Sequence, residues 1–441
     1  MATVNLRAPL RELAGAASIE IGGETIKDVL REFERRHPDA TGWVLDEQGS
    51  IRRHVNVFLN GERVPAEASV AERDEIHIIG AISGGADDAE LLVGTRKGLF
   101  VLRGLRGQRM ETVARVFEGT DVEFAMRDRR SGTYVASVTH GQYGPHLFVA
   151  DDPLGEWAEA DGPDFPEDTG ASVDRTWVIT TGEEDGVLWA GVQPAALYRS
   201  EDGGRSWELN RALWDVPSRP KWQAGGGGLC LHSICTWPGD PNRMAVGISA
   251  AGVWLTDDGG RSWRPGVKGL IPGYMPEEAR VDTLDHCIHN MHRPPLDPST
   301  LYMQYHGGVY RSDDAGETWT DIAAGLPSDF GFPLALDPND PARAFVIPLN
   351  SDGDRVTSEE AVRVFETRDR GESWQPLGNG LPSSDAYLTI LRQAFCHDGR
   401  DPLGLYFGTT GGTVFGSSDG GESWGVVADN IAPVLSVRCA T

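Results

Sequence analysis

The stretch "WLTDDGGRSW", residues 254–263, decides the fold of most of this chain, because copies of it recur at a nearly constant interval. There are four further copies: "YRSEDGGRSW" at 198–207, "YRSDDAGETW" at 310–319, "FETRDRGESW" at 365–374 and "FGSSDGGESW" at 415–424. Together with the copy at 254–263, they begin at steps of 50 to 56 residues. A degenerate copy, "FVADDPLGEW", occupies residues 148–157. A repeat of this length indicates a solenoid or a propeller.

The residues around each copy predict short β-strands. Two strands precede the motif, as in "RMAVGISAAGVWLT" at 243–256, and another follows it. Four strands per unit at this period indicate propeller blades. Within the motif the hydroxyl and carboxylate oxygens accept turn amides, and the tryptophan packs between neighbouring sheets. We therefore interpret these positions as structural: Asp202, Trp207, Asp258, Trp263, Asp314, Trp319, Asp369, Trp374, Asp419 and Trp424.

The copies resemble the Asp-boxes, S-x-D-x-G-x-x-W, of BNR-repeat β-propellers, which include sialidase-like and WD40/YVTN/BNR-like proteins. The stretches "LLVGTRKGLF" at 91–100 and "GGLCLHSI" at 227–234 are similar to propellers of this group that are described as glycosyl hydrolase-like. The resemblance covers residues 91–441 and implies the fold. It leaves the function open, because this architecture serves hydrolases, binding proteins and scaffolds.

The two ends of the repeat region predict how many blades there are. Residues 91–116 supply three strands without an innermost one, whereas "APVLSVRCA" at 432–440 supplies a lone first strand. We expect the two ends to complete one blade together. Six further units are predicted to begin near Phe124, Trp177, Leu231, Ile288, Phe332 and Leu388. The prediction is a seven-bladed β-propeller, closed by the C-terminal strand.

Residues 1–85 have a different pattern. In "ETIKDVLREFERRHP", residues 24–38, four apolar side chains recur at helical spacing behind a capping box of Thr25 and Asp28. Strands are predicted in "ATVNLRAPL" and "SIEIG" before this helix, and in "HVNVFLNGERV" and "DEIHIIGAI" after it. The order ββαββ predicts a small α+β domain whose sheet wraps around one helix, so the chain as a whole is mainly β.

Three segments of this domain resemble the MoaD/ThiS family of ubiquitin-like, β-grasp sulfur carriers: "LRELAG" at 10–15, "VNVFLNGE" at 55–62 and "DEIHIIGAISGG" at 74–85. The resemblance covers residues 1–85. It implies that the carboxylate of Gly85, in the tail Gly84-Gly85, is adenylated by a MoeB/ThiF-like enzyme and converted to a thiocarboxylate. No catalytic residue of the carrier itself is implied.

The chain departs from that family because Ala86 follows Gly85, so the intact chain has no free carboxylate there. One interpretation is a precursor that a processing protease cuts after Gly85. The other is that the two glycines have become a hinge into the acidic linker, residues 86–90, with the propeller at 91–441.

Three histidines are the candidate metal or channel site. His232 and His289 lie 57 residues apart, at matching places on predicted first strands, and His306 ends the second strand of the His289 unit. Converging imidazoles would bind a divalent, zinc-like ion or act as an acid or base. The alternative is that each is hydrogen-bonded separately in the channel. Candidate rim residues are His140, Arg175, His286, Asp329, Tyr387 and Arg392.

Composition limits the partners and the compartment. Forty Lys and Arg against 66 Asp and Glu give a net charge of −26, which opposes binding to nucleic acid or anionic lipid. The first residues do not form a signal peptide, and no apolar run is long enough to span a membrane. Five cysteines without a paired framework predict free thiols. We expect a cytoplasmic protein.

Three functions agree with these patterns. The favoured one is a sulfur carrier fused to a propeller that binds a ligand or metal. The second makes the propeller a glycoside-hydrolase-like or other hydrolytic enzyme, with the first domain retained as a structural or interaction module. The third is an interaction scaffold. A sialidase is disfavoured because the Arg-Ile-Pro motif is missing from the first unit, and among 66 acidic residues no catalytic pair can be assigned.

Overall fold

The computed structural model describes residues 1–6, 10–40, 44–45, 49, 51, 55–60, 62–80, 87–280 and 283–441. The chain divides into two compact units, Met1–Asp88 and Ala89–Thr441. The chain as a whole is mainly β, as predicted, and the first unit combines strands with helices. The tail Gly84-Gly85 lies outside the described residues. Among the described helices, none combines the length and the apolar character needed to cross a membrane.

The first unit has the order of elements of a ubiquitin-like domain. Its elements are β1 (Ala2–Leu6), α1 (Leu10–Ala14), β2 (Ser18–Ile21), α2 (Ile26–Arg36), β3 (Val55–Leu59), β4 (Glu62–Arg63) and β5 (Glu75–Gly80). The strands form one sheet in the order β2-β1-β5-β3-β4, in which β1 and β5 are parallel. Strand β5 is therefore central, and its end at Gly80 precedes the glycine tail.

Helix α2 packs on this sheet because its apolar residues share one face. Ile26, Val29, Leu30 and Phe33 are fully buried. At its start, the Thr25 hydroxyl accepts from the amide of Asp28 at 3.2 Å, while the Asp28 carboxylate accepts from the amide of Thr25 at 3.2 Å. The predicted helix and its capping box are confirmed.

The second unit consists of seven four-stranded sheets. Its strands, in chain order, are β6 (Asp88–Thr95), β7 (Gly98–Leu105), β8 (Glu111–Val116), β9 (Asp121–Arg127), β10 (Tyr134–His140), β11 (Gly144–Ala150), β12 (Ala158–Ala160), β13 (Arg175–Thr181), β14 (Leu188–Gln193), β15 (Ala196–Ser200), β16 (Glu208–Leu209), β17 (Leu231–Trp237), β18 (Asp240–Ile248), β19 (Gly252–Thr256), β20 (Arg264–Pro265), β21 (Ile288–His292), β22 (Leu301–Tyr305), β23 (Gly308–Ser312), β24 (Thr320–Asp321), β25 (Gly331–Asp337), β26 (Asp340–Pro348), β27 (Val364–Thr367), β28 (Gln375–Leu377), β29 (Phe395–His397), β30 (Leu405–Gly408), β31 (Val414–Ser417), β32 (Gly425–Ala428) and β33 (Val434–Cys439). A short helix, α3, spans Arg211–Trp214.

Six sheets use four consecutive strands, and the seventh has the order β33-β6-β7-β8. In that sheet β33 is antiparallel to β6, with Val437 opposite Val93. The first strands of successive sheets contact one another in the order β9, β13, β17, β21, β25, β29 and β33, and β33 contacts β9. The second unit is therefore propeller-like, with the first strands innermost.

One predicted unit begins later than the sequence suggested. The sixth first strand, β29, starts at Phe395, although its unit was placed near Leu388. The Leu388 carbonyl instead accepts from the amide of Thr357 at 2.9 Å, and a turn closed by Ala394 and Leu391 precedes the strand. Leu388 thus bonds to a loop, and bonding to β30 begins at Ala394, whose carbonyl accepts from the amide of Gly408 at 2.9 Å.

The repeated motif forms the same tight turn in five sheets. In the copy at 254–263, the Thr256 hydroxyl donates to the Asp258 carboxylate at 2.9 Å and accepts from the amide of Gly260 at 3.0 Å. Asp258 also accepts from the amide and hydroxyl of Ser262, at 2.9 and 2.6 Å. Gly260 has a φ of +82°, which favours glycine. The motif oxygens are thus occupied within the turn, in line with a structural role.

Candidate functional site

Irregular pairing marks the start of six of the seven first strands. Register shifts between the first and second strands leave residues without an opposite partner, and these include Glu123, Trp177, His232, His289, Phe332 and Leu435. We call these six residues the bulge ring. A bulge re-aims a side chain, and such bulges are frequent beside active and binding sites. The bulge ring therefore marks one end of the channel as the candidate site.

His289 is held rigidly in this ring. Its Nδ1 lies 2.6 Å from the carbonyl oxygen of Gly331, and its ring stacks on Phe332 at 4.6 Å between centroids. Because a carbonyl only accepts, Nδ1 carries the proton and Nε2 keeps its lone pair. A hydrogen bond of this kind is the usual support for a histidine that binds a metal through its other nitrogen.

Cys287 and His306 lie next to His289. The amide of His306 donates to the Cys287 carbonyl at 3.1 Å, which joins the end of β22 to the residue before β21. One ligand atom from each of Cys287, His289 and His306 lies within 4.8 Å of the others. Zinc binds cysteine sulfur at about 2.3 Å and imidazole nitrogen at about 2.0 Å. Small side-chain rotations would therefore bring all three atoms onto one ion.

His232 does not join this group. Its Nε2 lies 2.8 Å from the carbonyl oxygen of Ile288, its Nδ1 lies 3.0 Å from the Ser233 hydroxyl, and the residue is 0% exposed. Both nitrogens are engaged, so the ring connects β17 to β21. The structure thus brings together two of the three predicted histidines and supplies Cys287 as the third donor. The Cys-x-His spacing in "HCIHNMH" was the sequence signal for it.

Burial controls the protonation of these donors. Burial, followed by the charge of Arg392, holds the pKa of His289 well below its ordinary value. Burial also lowers the pKa of His306 and raises the pKa of the Cys287 thiol. Both imidazoles are therefore neutral at pH 7, with lone pairs available, while the thiol keeps its proton in the absence of an ion.

Arg392 is a buried cation beside the bulge ring. It is 8% exposed, and its guanidinium carbon lies 5.0 Å from the ring centroid of Trp177 and 5.7 Å from that of Phe332. Its side-chain hydrogen bond goes to the Cys230 sulfur at 3.5 Å. Among the described residues no carboxylate forms an ion pair with it. A buried guanidinium between two aromatic rings suits an anionic group on a ligand.

A carboxylate that the sequence analysis missed also lies here. Glu123 is 6% exposed and lies 3.4 Å from the guanidinium of Arg175, which stacks over Trp177 at 5.3 Å. Burial raises the pKa of Glu123, and the Arg175 charge opposes that effect. The shifted pairing opposite Glu123, which the sequence does not show, reveals its place in the bulge ring.

The remaining rim candidates separate into two groups. His286 contacts the Tyr305 hydroxyl at 3.0 Å, and Asp329 lies close enough to His306 to influence its pKa, which burial lowers. The other two side chains bond elsewhere: His140 accepts from amides of its own turn, and the exposed Tyr387 bonds to Glu360. Neither residue belongs to the group of Cys287, His289 and His306.

Comparisons with known proteins identify the first unit. The model of the ThiS family matches residues 4–85. Small archaeal modifier protein 1 of Haloferax volcanii is 31% identical over 83 residues, which are 18% of this chain and 95% of that protein.

The second unit is similar to glycoside hydrolases. An oligoxyloglucan-reducing end-specific xyloglucanase of Emericella nidulans is 25% identical over 221 residues, which are 43% of this chain. The match spans 25% of that enzyme's length. The crystal structure of an ancestral GH74 enzyme is 15% identical, covers 81% of this chain and 40% of its own, and has a TM-score of 0.47.

Proposed function

The chain belongs to the ThiS family through residues 4–85, and from that premise we propose that it is the precursor of a sulfur carrier. A protease cuts after Gly85, and a MoeB/ThiF-like enzyme transfers the adenylyl group of ATP to the new carboxylate, with release of pyrophosphate. Hydrosulfide then attacks the acyl carbon and displaces AMP, which leaves a thiocarboxylate with no change of oxidation state. The observation that carries this proposal is the match to small archaeal modifier protein 1 over 95% of that protein's length, together with the ThiS-family match, which ends at Gly85.

Two features of the first unit support it. Strand β5 has a paired strand on each side and ends at Gly80, four residues before Gly84. The tail therefore comes shortly after the central strand of the domain. Glycines 84 and 85 carry no side chains, which lets a tail enter a narrow active site. A feature of the second unit also agrees with the proposal: all five cysteines lie there and are free, which suits the reducing cytoplasm where we propose that the carrier acts.

Intact-mass measurement of the protein from its own cells tests this proposal. We expect a fragment that ends at Gly85, and a 16 Da heavier form in which sulfur replaces one carboxylate oxygen. A Gly85→Val variant should lose both species, whereas Gly22→Ala, outside the tail at a position with room for a methyl group, should keep them. Full-length mass alone, with no fragment and no thiocarboxylate, would contradict the proposal.

For the second unit we propose a seven-bladed propeller, closed by β33, that binds a divalent ion through Cys287, His289 and His306. The support is the proximity of three donor atoms and the hydrogen bond that orients His289. A set of one sulfur and two nitrogens favours zinc, and three protein ligands leave a fourth position open for a ligand. The guanidinium of Arg392 would then face an anionic group bound there.

Metal analysis and cobalt substitution test the ion site. The purified protein should hold about one zinc per chain, and the cobalt form should show thiolate-to-cobalt absorption. Cys287→Ser should remove that absorption, whereas Cys439→Ser, at a half-buried thiol elsewhere, should leave it unchanged. Background metal in the unmutated protein, or absorption that survives in Cys287→Ser, would contradict the site.

A hydrolytic enzyme is the second candidate function, favoured by Glu123. A buried carboxylic acid with a raised pKa is suited to act as a general acid, and the xyloglucanase relative matches this unit. Purified protein should then release reducing ends from xyloglucan, and Glu123→Gln should abolish that release. Glu118→Gln, at an exposed position, serves as the control. Xyloglucan that stays intact would argue against this function.

A further inference from the structure

A second cavity lies at the opposite end of the first strands. It has a volume of about 300 Å³, and its lining includes Arg129, His292, Arg293, His397 and Arg438. His292 and His397 are the last residues of β21 and β29, whereas the bulge ring lies at the beginnings of first strands. This basic cavity is therefore separate from the metal donors and from Arg392.

No acidic side chain lines the basic cavity among the described residues. The two nearby carboxylates are already neutralised: Asp337 accepts from Arg343 at 3.0 Å, and Asp398 accepts from Arg106 at 2.7 Å. In a chain with a net charge of −26, a cavity lined by three guanidinium groups and, among the described residues, by no acidic side chain is unusual. Arg129 donates to an oxygen of Thr441, whereas Arg293 and Arg438 have no carboxylate partner among the described residues.

Two buried polar atoms in this lining have no hydrogen-bond partner among the described residues, namely Nε of Arg293 and Nδ1 of His397. Buried polar groups are nearly always satisfied, so an orphaned pair at one cavity indicates a missing partner. The bonds that Arg293 and Arg438 do make go to uncharged groups, the Pro298 carbonyl and Gln393.

The histidines contribute neutral groups at pH 7. Burial lowers the pKa of His292 to about 3 and the pKa of His397 to about 4. Apolar side chains, among them Leu336 and Phe395, form the rest of the wall. Small-molecule sites typically combine such an apolar wall with a few directed polar groups.

We propose that the basic cavity binds a small organic anion, with its acid group at Arg293 and Arg438 and its carbon body against Leu336 and Phe395. The shared chemistry is an oxyanion on a compact apolar body, as in a carboxylate or a phosphate monoester. A guanidinium forms paired hydrogen bonds with either group. The site is independent of sulfur transfer and of the metal donors.

Calorimetric titration of the full chain at constant ionic strength tests this inference with phenyl phosphate, benzoate and benzyl alcohol. Binding of phenyl phosphate alone identifies a phosphate site, and binding of benzoate alone identifies a carboxylate site. Binding of both supports a general oxyanion site. Absence of binding by both anions, or equal binding by the neutral alcohol, would overturn the proposal.

Two arginines on one tryptophan provide a matched pair of variants. Arg293 and Arg243 both stack on Trp237, at 4.8 and 3.4 Å, but only Arg293 lines the cavity. Arg293→Met should weaken anion binding at least tenfold, and Arg243→Met should leave it unchanged. Arg129→Gln changes another arginine of the cavity lining and should also weaken anion binding. Equal affinities in all three variants would overturn the proposal.

Discussion

His289 in the fourth first strand donates from Nδ1 to the carbonyl of Gly331 in the next sheet, at 2.6 Å. This hydrogen bond between sheets leaves Nε2 of His289 free to bind an ion. We therefore predict that a bound ion stabilises the fold. Added zinc should raise the melting temperature of the metal-free protein, because a ligand that binds the folded state stabilises it. Calorimetry should show no such rise for His289→Ala, while the control His140→Ala should behave like the unmutated protein. A zinc-dependent rise that His289→Ala retains would exclude His289 as a ligand.

His232 is predicted to be structural. His232→Ala removes a fully buried ring and two hydrogen bonds, so it should lower the free energy of unfolding by about 2–3 kcal/mol. Urea titration measures this loss. Its zinc content should stay at the unmutated level, because both ring nitrogens are engaged elsewhere. A variant with normal stability and no zinc would identify His232 as a ligand instead.

The repeated turns should make stability depend on pH. Hydrogen bonds from Ser262, first its hydroxyl and then its amide, hold the pKa of Asp258 at about 2. A carboxylate whose pKa is lower in the folded state stabilises it above the unfolded pKa of about 3.9 and loses that effect as the pH falls towards 2. Asp258→Asn should therefore melt lower than the unmutated protein at pH 7, and the difference should shrink near pH 2. Asp257→Asn, an exposed neighbour outside these turn bonds, is the control. A difference in melting temperature between the two proteins that stays constant from pH 7 to pH 2 would contradict the lowered pKa of Asp258 in the folded state.

The capping box should control opening of α2 in the first unit. Thr25→Ala removes the hydroxyl that accepts from the Asp28 amide, at a cost of about 1 kcal/mol. Hydrogen exchange of the full chain, followed by mass spectrometry, should show about fivefold faster exchange over 26–36. Thr25→Ser keeps the hydroxyl and should exchange like the unmutated protein. Equal exchange in both variants would mean that the cap does not limit opening.

The elements most visible in the sequence are those whose residues interact locally. The helical spacing of Ile26 and Phe33 and the capping box depend on neighbours within one or two turns, and both are confirmed. The motif turns are equally local. The Gly84-Gly85 prediction lies outside the described residues, and its chemistry stays a proposal.

The candidate site was harder to predict because it depends on contacts between sheets. The spacing of His232 and His289 predicted matching places on two first strands, and the structure has a bulge at each. The sequence did not show that the Ile288 carbonyl and the Ser233 hydroxyl would engage both nitrogens of His232. Cys287 precedes its strand and therefore gave no strand signal. Glu123 and Trp177 became notable only when the shifted pairings showed that they share the bulge ring.

The pairing of β33 with β6 brings residues more than 330 positions apart, such as Val437 and Val93, into one sheet. The two ends of the second unit are held together by hydrogen bonds and packing, not by a peptide bond. The order of its sheets could therefore start at any sheet. A peptide bridge between the ends and a new opening in an exposed loop, for example at Gly273, should give a circular permutant with the same sheets. The same pairing means that proteolytic release of the first unit would leave β6 paired with β33 along its inner edge, so the remaining protein would gain a new amino terminus without exposing that edge of β6.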